Sequence, residues 1–108
     1  MSRFRIYKSG VEFRYSLFAD NGENILSGEG YTSKQNCLNG VDSIKVNAAY
    51  DARYERRTSI SNQPFFVLKA SNGEIIAKSQ MYSSTYARDA GIEAVKRNAP
   101  GAWIDDQT

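Results

Sequence analysis

The sequence predicts a two-layer α+β domain. Two tandem β-β-β-α repeats build an antiparallel sheet with both helices on one side, related by an approximate internal two-fold. Three observations predict it. The chain agrees with itself at an offset of 51, placing Leu17 on Leu68, Ala19 on Ala70, Asn21-Gly22-Glu23 on Asn72-Gly73-Glu74, Tyr31 on Tyr82, Gly40 on Gly91 and Asn47-Ala48 on Asn98-Ala99. Within each copy the apolar residues alternate with a period of two and then change to helical spacing. Between two such alternating runs each copy holds an Asn-Gly pair, the strongest short-range hairpin signal.

The elements follow in chain order. Phe4 to Lys8 and Tyr54 to Thr58 carry aromatic and β-branched residues in partial alternation, the mark of a half-buried strand. After a short polar loop come Phe13 to Asp20 and Phe65 to Ser71, in which Tyr15, Leu17 and Ala19, and then Phe66, Leu68 and Ala70, fall on the buried side. The Asn-Gly pairs suit a type I′ turn, and Glu23 to Gly30 and Glu74 to Met81 return as third strands. Gly28 and Gly30 interrupt the first of these, which predicts a bulged or short strand.

Thr32-Ser33 and Ser83-Ser84 offer hydroxyls to cap a helix. The stripes Cys37, Gly40, Val41, Ile44, Ala48 and Ala87, Gly91, Ile92, Val95, Ala99 give each helix one apolar face. A mid-helix glycine costs about 0.5–1 kcal/mol relative to alanine, so Gly40 and Gly91 on those stripes imply close approach of the helix backbone to the sheet. Pro100-Gly101 ends the second helix. The tail from Ala102 to Gln107 is a candidate last strand, with Trp103 standing where Tyr54 stands after the first helix. The 108 residues thus read as one domain, 1–108, with repeat 1 at about 3–49, repeat 2 at about 53–100 and a C-terminal tail at 101–108.

Asn21-Gly22-Glu23 with Ile25, Tyr31-Thr32-Ser33-Lys34 and Gly40-Val41, and their echo in Asn72-Gly73-Glu74, Gln80-Met81-Tyr82 and Gly91-Ile92, resemble the YegP-like family. Arg53-Tyr54-Glu55 and Leu68-Lys69-Ala70 extend the likeness over essentially the whole chain. The resemblance implies tandem β-β-β-α units, with single-unit relatives that associate to rebuild the same arrangement. It implies no activity and carries no functional residues with it.

Composition removes several chemistries. With no histidine, a Ser-His-Asp triad, a Cys-His pair and a His-ligated zinc site are excluded within this chain. Cys37 is the lone cysteine and lies on an apolar helix stripe, as a small hydrophobe would. One cysteine, no long apolar run and no signal-peptide pattern suit a cytoplasmic protein. Asp105-Asp106 is the only adjacent acidic pair and is too little for a metal site, and neither Asn-Gly nor Gly28-Glu29-Gly30 has the spacing of a phosphate loop. No catalytic residue, cofactor or metal is expected.

The live functional signal is basic. The net charge of +2 falls entirely on residues 53–108, and Arg53, Arg56 and Arg57 cluster beside Tyr54 on the bridging strand, with Arg3, Arg5 and Lys8 at the matching place in the first copy. Arginines and rings on an open sheet are what single-stranded nucleic acid requires. Arg53, Tyr54, Arg56 and Arg57 are therefore candidate contact residues. The leading expectation is nevertheless a small binding or structural module whose partner is another protein or a second copy, met at a sheet edge. Nucleic-acid binding is the alternative and an enzyme the third reading.

Overall fold

The computed structural model describes residues 1–108. In chain order it holds β1 (Arg3–Ser9), β2 (Glu12–Phe18), β3 (Asn24–Gly28), α1 (Lys34–Asn47), β4 (Tyr54–Thr58), β5 (Pro64–Lys69), β6 (Ile75–Lys78), α2 (Thr85–Asn98) and β7 (Trp103–Asp106). All seven strands join one sheet of order β4-β5-β6-β3-β2-β1-β7. The first six are antiparallel and symmetric about the β3–β6 seam.

The turns explain why the hairpins close. β1 returns as β2 through Gly10-Val11, with Gly10 at φ +63°, the glycine-first pattern of a type II′ turn. The Asn-Gly turns are not type I′, because only Gly22 and Gly73 take positive φ, at +88° and +87°. Gly22 N–H donates to the Ala19 carbonyl at 2.9 Å and Ala19 N–H to the Glu23 carbonyl at 2.9 Å. This is a three-residue loop with a glycine bulge. Asn21 stays right-handed because its side chain accepts from Glu23 N–H at 3.0 Å, an Asx bond the second copy repeats between Asn72 and Glu74. Asn62, at φ +63°, plays the glycine's part in the β4–β5 loop.

Period-two alternation then sorts the side chains. Phe4 and Ile6 stand opposite Leu17 and Tyr15, and Tyr54 stands opposite Leu68, all on the face that the helices cover. Ser33 and Ser84 cap the helices, their hydroxyls accepting from Asn36 and Ala87 N–H at 3.1 and 3.0 Å. Cys37, Gly40, Val41, Ile44 and Ala48 of the first helix, and Gly91, Ile92, Val95 and Ala99 of the second, are buried as their stripes predict, whereas Ala87, in the first turn of α2, is only half-buried. α1 rests on β2 of its own repeat and on β5 and β6 of the other, and α2 likewise rests on β5 and on β3. One cluster of 19 buried residues therefore runs through both repeats.

Each repeat carries the same aromatic ladder. Phe4 meets Tyr15 edge-on at 6.1 Å and Tyr15 stacks on Tyr31 at 6.3 Å; Tyr54, Phe66 and Tyr82 repeat this at 5.8 and 6.3 Å. Pairs of this kind add about 0.5–1.5 kcal/mol beyond burial. The seam itself is thin, with only Ser27 opposite Lys78 and Gly28 opposite Ala77. Tyr15 reinforces it by crossing Gly28, where any Cβ would overlap its ring, to donate to the Ile76 carbonyl at 2.7 Å.

The tail is a strand, but it makes the sheet mixed. β7 runs parallel to β1, from Arg3 beside Trp103 to Ile6 beside Asp106. After α1 the chain enters β4, which pairs with β5. The two-fold equivalent of that slot, beside β2, is already filled by β1. β7 keeps the direction and lies one strand further out.

Candidate binding face

The four candidates from the bridging strand do not form one surface. Tyr54 is buried on the helix side and its hydroxyl donates to the Ala48 carbonyl at 2.7 Å. Arg56, two residues on, shares that side and reaches Asp89 of α2 at 3.0 Å and Asp51 at 3.9 Å. Arg53 donates to Asn47 Oδ1 at 3.0 Å and lies over the Tyr50 ring. Only Arg57 stands on the face opposite the helices, forked onto Glu55 with two bonds of 3.1 Å. Arg57 and the salt-bridging Lys69 hold the Glu55 carboxyl down at about 2, below its usual range.

That opposite face is the more informative one, because no element covers it. Its strand residues, read from the pairing register, are Arg3, Arg5 and Tyr7 on β1, and Glu12, Arg14, Ser16 and Phe18 on β2. Ser27 and Lys78 continue it across the seam, followed by Phe65, Val67 and Lys69 on β5 and by Glu55 and Arg57 on β4. β7 adds Trp103 and Asp105. Six of these side chains are basic and three acidic.

The acids are all engaged. Asp105 pairs with Arg3 at 3.2 Å, Glu12 with Arg14 at 2.9 Å, and Glu55 with Arg57 and Lys69. Arg5 and Lys78 have no acidic partner. They lie instead over aromatic rings, Arg5 at 5.2 Å from the centre of Phe18 and 5.6 Å from Tyr7, and Lys78 at 5.1 Å from Phe65. Arg3 covers Phe18 at 4.5 Å. Such cation–π contacts draw each cation to a ring by the ring quadrupole, and Arg3 and Arg5 remain half-buried there. Ser16 and Val67 are buried although no helix lies over them, shaded by the longer side chains around them.

Beside the seam this face has a shallow polar depression of about 300 Å³ lined by Asn24, Ser27, Lys78, Ser79 and Gln80. No three acidic, cysteine or histidine residues gather where a metal could sit. Burial pushes the Cys37 thiol up, so it remains protonated and a poor nucleophile. No helix is long and apolar enough to cross a membrane.

The duplicated fold is that of a protein built from two tandem copies of one α+β unit. Residues 9–55 and 60–106 each match the model of the Domain of unknown function DUF1508, and the chain belongs to that family. The two matches begin 51 residues apart, the same offset at which the chain matches itself. It is 52% identical over 103 residues to the "UPF0339 protein in ptx operon 5'region" of Stutzerimonas stutzeri, covering 94% of this chain and 92% of that one. It is 41% identical over 106 residues to the UPF0339 protein YegP of Escherichia coli K12, covering 97% and 96%. The solution structure of yegP from E. coli superposes with a TM-score of 0.93 at 40% identity over 99% of this chain and 93% of that one. That of a UPF0339 protein of Shewanella oneidensis gives 0.91 at 42% over 97% and 90%.

Proposed function

We propose that this chain is a binding module rather than a catalyst, and that the helix-free face of its sheet is the contact surface for an anionic partner. The observation that carries this reading is the charge on that face, where six basic strand residues stand against three acids and Arg5 and Lys78 remain unneutralised over aromatic rings. An excess of one sign on an open surface draws in partners of the opposite sign and raises their association rate. Titration with a short sulfated oligosaccharide, followed by backbone amide shifts, tests it. Shifts concentrated on β1, β2, β5 and β6 that fade with added salt support the reading. Shifts on the helix side, or none, refute it.

A second reading, closer to protein or self-association, is favoured by β7. This edge strand leaves Trp103 46% and Ile104 39% exposed, and its outer backbone groups are free to pair with an added strand. Light scattering over a range of concentrations checks the self-association form. A dimer abolished by Ile104→Asp supports it, and a monomer throughout removes it.

A further inference from the structure

We infer that the anionic partner of the helix-free face is a single-stranded nucleic acid, held by base stacking as well as by charge. The inference rests on the contact face proposed above and narrows its occupant. Charge alone would suit any polyanion. The rings would not. Half-buried Arg3 and Arg5 lie within 4.5–5.6 Å of the Phe18 and Tyr7 rings, and Tyr7, Phe18 and Phe65 are themselves half-exposed, so guanidinium and aromatic groups on which bases stack stand together at this surface. A sulfated sugar has no flat aromatic group to use them and an acidic peptide has one only where it carries an aromatic residue, whereas every nucleotide of a strand brings a base.

The arrangement also fits a strand in extent. One cation–aromatic cluster lies on β1 and β2, around Arg5 and Phe18, and the other on β5 and β6, around Lys78 and Phe65. With about 4.8 Å between neighbouring strands, their members stand roughly 10–19 Å apart, a span that a few nucleotides bridge. Between them lies the polar depression with Asn24, Ser27 and Gln80, which offers hydrogen-bonding groups without a wall that would block a chain. The two-fold supplies the pattern twice with its partners exchanged. Tyr7 stands opposite Arg14 in the first repeat, and Arg57 opposite Phe65 in the second.

The test is fluorescence anisotropy with labelled oligothymidylate, oligouridylate, a DNA duplex and a sulfated oligosaccharide of matched charge. With about three phosphate contacts at a slope near −0.7 each, affinity for the single strands should fall roughly twentyfold between ~50 and ~200 mM salt. Tyr7→Ala and Phe65→Ala should each weaken binding by about fivefold or more. Arg5→Ala with Lys78→Ala should flatten the salt slope, whereas Arg56→Ala, on the helix side, should leave binding unchanged. Far-UV circular dichroism establishes that each variant is folded. Equal affinity for the sulfated sugar together with indifference to Tyr7→Ala and Phe65→Ala would overturn the nucleic-acid inference and leave the anionic contact face standing. A preference for duplex would overturn it too, and binding of no anion at low salt would remove both.

Discussion

Gly40→Ala is a one-carbon test of how the helices seat on the sheet. A Cβ at Gly40 would lie 2.5 Å from the Tyr31 hydroxyl oxygen, 2.9 Å from its Cζ and 3.1 Å from Cε2 of Tyr15. Tyr31 has little room to retreat. Its ring stacks on Tyr15, and its backbone is tied to Phe13 by bonds of 2.7 and 2.8 Å. Overpacking of this sort costs about 1–3 kcal/mol. Replacing glycine by alanine in a helix returns up to about 1 kcal/mol. The net expectation is a loss of roughly 1–2 kcal/mol, read from urea unfolding followed by Trp103 fluorescence and circular dichroism. In a Tyr31→Ala background the clash is gone and only the helix preference remains, so Gly40→Ala should there be neutral or stabilising. The two substitutions should therefore couple by about 1–3 kcal/mol, within the range seen for touching residues. If Gly40→Ala stabilised the unmodified protein, close packing would not be the reason for the glycine.

Other expectations follow from single contacts. Tyr15→Phe removes the hydroxyl that reaches Ile76 across the seam and should cost about 1–1.5 kcal/mol in the same assay. Gly28→Ala sets a methyl against the Tyr15 ring and should be worse than Tyr15→Phe, lowering the urea midpoint further. Glu55 is held at about 2 by Arg57 and Lys69, so its stabilising contribution is present above the ordinary value of 4.5 and is lost as pH falls towards 2; Glu55→Gln should flatten stability against pH in that window. At the other end, burial raises Tyr15, Tyr31, Tyr54 and Tyr82 above their ordinary value of 10, so their neutral forms are favoured on folding. Unfolding midpoints should drop as pH rises past about 10, less steeply in Tyr15→Phe.

The repeat made most of this fold legible. Once Leu17 falls on Leu68 and Gly40 on Gly91, each strand and cap has an independent second statement, and Ser33 and Ser84 cap their helices as the hydroxyl pattern predicts. The turn type escaped because Asn-Gly fits two hairpin loops. The choice between them lies in the Asx bond from Asn21 to Glu23, which holds Asn21 out of the left-handed region. The orientation of β7 escaped because it depends on which sheet position β1 already occupies, a matter of topology rather than of local pattern.

At the candidate site, proximity in sequence misled where periodicity would have guided. Tyr54 matches buried Phe4, so Arg56 matches Ile6 on the helix side and Arg57 matches Tyr7 on the open side. Adjacent arginines on a strand cannot share a face. The contributions of Phe18, Arg14 and Lys78 had no sequence motif behind them. Their signal was being out of phase with Leu17, Tyr15 and Ala77, and it gained meaning only when the register set them beside Arg3, Arg5 and Phe65.

The most direct measurement is urea unfolding followed amide by amide across both halves of the chain. If each helix needs the other repeat's strands to bury its stripe, amides of β2 and α1 and those of β5 and α2 should lose protection at one common midpoint. Leu17→Ala and Leu68→Ala should each shift that midpoint for every amide. Two separate midpoints, each moved only by the substitution in its own half, would contradict the shared core.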